Sequence, residues 1–114
     1  MAVPHFSVSI VARGSGRSAV LSAAYRHCAK MEYGREARTI DYTRKQDLLH
    51  EEFAIPADAP EWLREMIADH SVSPAAEVFW NRVEDFEKRS DAQLAKDITI
   101  ALPIELSREQ NIEL

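Results

Sequence analysis

Apolar–polar alternation near both ends of the chain, with helical periodicity between, limits the fold more than any other feature. In residues 5–11, Phe6, Val8 and Ile10 fall on one side and His5, Ser7 and Ser9 on the other, which predicts a half-buried strand. Residues 97–102 repeat the pattern, with Ile98, Ile100 and Leu102 opposite Asp97 and Thr99. If these strands pair, His5, Asp97 and Thr99 meet on one polar face. Two glycines in Arg13-Gly14-Ser15-Gly16-Arg17 end the first strand. Residues 18–31 then turn helical, with Leu21, Ala24, Cys28 and Met31 as the apolar stripe.

Residues 33–45 read as an irregular basic loop with a short strand around Ile40, and residues 48–55 as a further strand closed by Pro56. Pro60 opens a short helix. Ser73-Pro74 opens a longer amphipathic one, running to about Arg89 and burying Ala76, Phe79, Val83 and Phe86 with Trp80 beside them. Ser107-Arg108-Glu109-Gln110 is a capping box for another helix. This order predicts an α+β fold, an antiparallel sheet with packed helices, over a single domain of residues 1–114.

No run approaches the roughly 18 apolar residues of a membrane span, and the N-terminus lacks the layout of a secretory leader, so a cytoplasmic location is expected. A single cysteine, Cys28, excludes an intrachain disulfide and a cysteine-based zinc cluster; on the helical stripe it reads as a small core residue. The net charge of −5 argues against nucleic acid, but its distribution does not. Residues 1–45 hold eight Lys/Arg against three Asp/Glu, a balance of +5, while residues 46–114 hold six against sixteen, a balance of −10. Such asymmetry fits a basic face built from the first segment, and equally fits solvated surface throughout.

Tyr25 falls at the edge of the apolar stripe, beside Ser18, Ser22 and Arg26. A phenol so placed serves either as a boundary tyrosine or as a nucleophile at phosphorus, with Arg26 or Lys30 to neutralise charge. The glycine-bearing loop between Arg13 and Arg17 is either a tight turn or a contact for a phosphate. His5 and Asp97 are two potential ligands, too few for a metal site, and His27, His50 and His70 show no ligand spacing. Trp62 and Trp80 occupy apolar helix positions and read as core. The charged run from Glu84 to Arg89 reads as a solvated helix face.

Taken together, His5-Phe6-Ser7, Arg17-Ser18-Ala19-Val20 and Ala23-Ala24-Tyr25-Arg26 resemble the N-terminus of the MobA/MobL relaxases. Asp41-Tyr42-Thr43-Arg44-Lys45 with His50, then Ala59-Pro60-Glu61-Trp62, then the block from Asp91 to Asp97 with Ala101-Leu102-Pro103, follow in the family's order. The resemblance implies a His-hydrophobic-His endonuclease that binds single-stranded DNA at an origin of transfer and works with other mobilisation or secretion proteins. The tyrosine matching Tyr25 would attack the scissile phosphate, leaving a 3′-hydroxyl and a 5′-phosphotyrosyl link. Arg13, Arg17, Arg26, Lys30, Arg44 and Lys45 would contact the DNA. A divalent metal, Mg²⁺ or Mn²⁺, would be held by a histidine cluster that Asp97 supports, with His5 a weaker candidate.

The family's His-x-His segment does not occur in these 114 residues. The expectation is therefore a nucleophile-bearing but incomplete domain that binds no metal and does not cleave alone. Two other readings stay open: a non-catalytic DNA-binding regulator, and an acidic interaction protein of a mobile element.

Overall fold

The computed structural model describes residues 6–100. The expected strand end at Leu102, the capping-box helix from Ser107 and the His5 side chain lie outside the described residues. Strand β1 (Phe6–Ala12) runs into a short 3₁₀ turn (Arg13–Ser15), and helix α1 (Ala19–His27) follows. Strands β2 (Lys30–Tyr33) and β3 (Arg38–Asp41) form a hairpin around Gly34–Glu36. Helices α2 (Glu61–Asp69) and α3 (Val72–Phe86) precede strand β4 (Gln93–Ile100). No helix among the described residues is long and apolar enough to cross a membrane.

The two alternating segments do pair. β1 and β4 are antiparallel, with Ser7 opposite Thr99, Ser9 opposite Asp97 and Val11 opposite Ala95. Strand alternation puts these six on one face and Phe6, Val8, Ile98 and Ile100 on the other. The coverage is the reverse of the expected one. The apolar face is largely exposed, whereas the polar face turns toward α1. Only near Val11 and Leu94 does the ribbon enter a core, with Ala19 and Ala92.

Helix α1 starts where Ser18 Oγ accepts the Leu21 N–H at 2.9 Å, a side-chain N-cap. It stops well short of Met31. Cys28 takes a left-handed backbone (φ 52°), and the Ala29 N–H returns to the Ala24 carbonyl at 3.0 Å, closing the helix by a local cap. Cys28 is thus a half-buried cap residue, not core. Met31 is buried on β2 instead, beneath Val20, Ala23, Ala24, Ile40 and Ala76. The expected short strand around Ile40 is β3, and its partner β2 takes up residues at the end of the expected helix and the start of the basic loop, a span too short for periodicity to reveal. Residues 48–55, expected as a strand, have no regular structure; Phe53 and Ile55 pack on the α2–α3 cluster from a loop.

Helix α3 links the layers. Its Ala76 joins the α1–hairpin core, Ala75 joins the α2 core, and Trp80 reaches two clusters. Phe86, expected inside, is 81% exposed, and Trp62 is likewise exposed, with the Arg82 guanidinium 4.7 Å over its ring. Glu84, expected on the solvated face, is fully buried.

Candidate active site

The position of α1 is fixed from below by Glu84. One of its carboxylate oxygens accepts the Ala19 N–H (3.2 Å) at the first turn of α1 and the Tyr33 hydroxyl (3.0 Å) from β2. The other accepts from Arg13 Nη2 (2.9 Å). A buried carboxylate is tolerated when it is paired and hydrogen-bonded, and this one is both. It also sits at the positive end of the helix dipole. Burial and the neighbouring Glu84 carboxylate push the Tyr33 phenol above its ordinary pKa, so it stays a neutral donor.

Arg13 therefore leaves the expected DNA-facing set. Its guanidinium also donates to the backbone carbonyls of Glu84, Glu87 and Arg89 at 2.7–2.9 Å, tying off the C-terminal end of α3. The glycine-bearing loop is a turn that places this side chain inward, with Gly16 at φ 79°.

With α1 held this way, Tyr25 projects from its outer side and is 44% exposed. Its ring is gripped by three side chains, the Arg26 guanidinium carbon 5.7 Å from its centroid among them. Tyr42 packs edge-on at 5.3 Å between centroids, and Lys45 Nζ lies 4.5 Å from the ring centroid. The Tyr25 hydroxyl makes no hydrogen bond to any described residue. It borders a cleft of about 240 Å³ lined by Arg17, Ser22, Arg26, Tyr42 and Asp97.

The polar face of the β1–β4 ribbon forms the far wall. Arg17 Nη1 donates to Ser9 Oγ (3.2 Å) and the Ile10 carbonyl (2.9 Å), and its Nη2 is 3.7 Å from Asp97. Arg26 Nη2 donates to both Asp97 oxygens (2.9 and 3.0 Å) and to Thr99 Oγ1 (3.1 Å). Asp97 and Thr99, two residues apart on β4, share one arginine, and their expected meeting with His5 lies outside the described residues.

Lys45 is oriented by Asp47, which accepts its ammonium hydrogen bond, with Cys28 Sγ close by at 4.0 Å. That bond raises the Lys45 pKa and lowers the Asp47 pKa. Asp41 is lowered by the Thr43 hydroxyl and N–H, then by the charges of Lys30 and Arg44. Lys30 and Arg44 flank Asp41 at the hairpin base. The structure thus brings Arg17, Tyr25, Arg26, Lys45 and Asp97 together. Tyr42 and Asp47 were missed because neither belongs to a periodic segment; Tyr42 lay inside the block that carried the resemblance.

Among the described residues, no group of three His, Cys, Asp or Glu side chains is placed to hold a metal ion. His27 and His50 pair instead with Glu51 (2.8 Å) and Glu52 (2.9 Å), and His70 with the Met66 carbonyl. The described residues supply a phenol and cations, not a ligand set.

A half-exposed tyrosine with no hydrogen-bond partner among the described residues thus stands beside two arginines on a sheet-backed helix, in a mixed α+β chain with antiparallel pairing. A solved structure described as "Molecular Basis of Vancomycin Resistance Transfer in Staphylococcus aureus" superposes with a TM-score of 0.81 at 29% identity, over 98% of this chain and 52% of the other. The chain belongs to the MobA/MobL family, whose pattern matches residues 17–114. It is 82% identical over its whole length to the probable conjugal transfer protein TraA of Sinorhizobium fredii, and 39% identical over 96% of its length to the mobilization protein MobL of Acidithiobacillus ferridurans. It spans 10% of that TraA and 26% of that MobL.

Proposed function

We propose that this chain carries the nucleophile of a relaxase acting on single-stranded DNA at an origin of transfer, and that Tyr25 is the nucleophile. The observation that carries the proposal is that Tyr25 is half exposed, with its hydroxyl free of hydrogen bonds to any described residue, on a cleft that also holds Arg17 and Arg26. A hydroxyl left free of internal bonds can approach a phosphorus atom, and fixed cations stabilise the charge that builds on the phosphoryl oxygens. The membership in the MobA/MobL family and the conjugal-transfer relatives support the same substrate.

In the forward step Tyr25 Oη bonds to phosphorus and its proton passes to solvent or a base. The bond from phosphorus to the 3′ oxygen breaks, and that oxygen takes up a proton to leave as a 3′-hydroxyl. The product is a 5′-phosphotyrosyl ester. The phosphodiester count is unchanged, so the same residues support rejoining by the reverse step. The Mg²⁺ or Mn²⁺ expected of the family has no ligand set among the described residues. We therefore expect the 114-residue chain alone to bind DNA without metal-dependent cleavage, and efficient nicking by it would overturn that.

A transplant gives the test. This chain replaces the matching segment of the Sinorhizobium TraA, and the chimera is incubated with an origin-of-transfer oligonucleotide and Mg²⁺ or Mn²⁺. A covalent protein–DNA adduct is expected, and Tyr25→Phe is expected to abolish it. An adduct that survives the substitution would remove Tyr25 as nucleophile.

A further inference from the structure

The pairing between Arg26 and Asp97 has a chemical consequence that rests on the DNA-binding reading above. A guanidinium grips a phosphate with two parallel bonds, through Nη1 and Nη2 or through Nε and Nη2. Both grips use Nη2. In this structure Nη2 of Arg26 is surrounded by three acceptors, the two Asp97 oxygens and Thr99 Oγ1, while Nη1 and Nε have no partner among the described residues. Arg17 approaches the same carboxylate from the other side, with Nη2 3.7 Å from Asp97 Oδ2.

The Asp97 carboxylate is only 19% exposed, whereas the Arg26 side chain is 50% exposed. The anion is thus set back in the cleft wall, and the cation that covers it faces outward beside Tyr25. Carboxylate and phosphate offer a guanidinium the same pair of oxygens. We propose that Arg17 and Arg26 form a phosphodiester site beside Tyr25, and that Asp97 occupies it as an internal stand-in which a DNA phosphate must displace from Arg26. Asp97 is then a positioning residue. It holds Arg26 in place when the cleft is empty and sets a threshold that weakly held anions do not cross.

The site is tested on the 114-residue chain with a fluorescein-labelled oligothymidine, which has no fold and no origin sequence, by fluorescence anisotropy at low salt. Asp97→Asn is expected to tighten binding roughly tenfold, the scale of one charge-assisted contact. In the Arg26→Gln background the same change is expected to give less than about twofold, because the site it unmasks is gone. Asp91→Asn removes an exposed carboxylate paired to Arg89 and measures the general effect of one lost negative charge. Asp97→Ser serves as a second variant, and thermal melting confirms that each variant is folded.

A gain for Asp97→Asn no larger than for Asp91→Asn, or one that persists without Arg26, overturns the proposal. The outcome is separable from the nucleophile assignment. A gain that needs Arg26 stands even if Tyr25→Phe still forms adducts, and the adduct test stands whatever Asp97 does.

Discussion

Two arginine–carboxylate pairs hold helix α1, and they differ in almost everything except chemistry. Arg13 and Glu84 meet in the interior, with side chains 12% and 0% exposed, and they also engage Tyr33, the Ala19 N–H and the carbonyls at the end of α3, with Arg13 Nε alone left without a partner among the described residues. Arg26 and Asp97 meet at the rim of a cleft, and half of the arginine side chain is open to water. A buried pair that is opened leaves a charge with no solvent to take it, so its contribution is structural and permanent. A rim pair adds little stability and exchanges partners at small cost. The first therefore sets where α1 sits, and the second is the one we propose a DNA phosphate exchanges with.

Substitutions separate the two roles. Glu84→Ala should cost about 3–5 kcal/mol in urea unfolding, because Arg13 and the Tyr33 hydroxyl lose their common partner inside the core. A loss below about 1 kcal/mol would mean that the pair is not the anchor of α1. Arg26→Gln should change unfolding stability by less than about 1 kcal/mol while weakening single-stranded DNA binding and its salt dependence. If stability fell as far as for Glu84→Ala, the contrast between the pairs would disappear. Tyr42→Leu should cost about 0.5–1.5 kcal/mol at most, the worth of one edge-to-face ring contact, and should loosen Tyr25 as seen in its ring NMR signals. Unchanged ring signals would show that Tyr42 does not hold Tyr25.

The pH response should divide along the same line. The Tyr33 pKa is raised on folding, so its contribution is complete below the unfolded value near 10 and is lost as pH climbs through the folded value. The Asp41 and Asp47 pKa values are lowered, so their contributions are complete above the unfolded carboxylate range and are lost as pH falls through the folded values. The Lys45 pKa is raised by Asp47, so on the lysine side that pairing fails only in strong alkali. Hydrogen exchange should therefore show the segment around residues 41–47 opening first in acid, and the Glu84 core weakening first in alkali. The opposite order would contradict the assignment of these shifts to their partners.

Much of the architecture was legible before any coordinates. The alternation at both ends marked β1 and β4 as strands, the helical stripes marked α1 and α3, and Pro60 marked the start of α2, each to within a few residues. The failures have local causes. Helix α1 stops at His27 because Cys28 adopts a left-handed cap, a conformation that no periodicity signals in a non-glycine residue. Glu84 was placed in a charged run, and nothing in one sequence distinguishes a solvated glutamate from one that faces an arginine 71 residues away. Arg13 was misplaced for the same reason. The outward direction of Phe6, Val8, Ile98 and Ile100 inverts the usual rule for which side of a strand is covered, although the division into two sides was right. At the site, Tyr25 and Arg26 were visible from helix position and resemblance together, and position alone left Tyr25 ambiguous. Tyr42 acts through a tertiary ring contact and Asp47 through a local bond to Lys45, and neither shows in periodicity.

The central claim is that Tyr25 is the residue that becomes joined to DNA. Its most direct test is mass-spectrometric mapping of the covalent adduct formed by the TraA chimera with an origin-of-transfer oligonucleotide. The expected result is a nucleotide mass on the tryptic peptide containing Tyr25, absent in Tyr25→Phe. A nucleotide mass on any other residue, with the Tyr25 peptide unmodified, would contradict it.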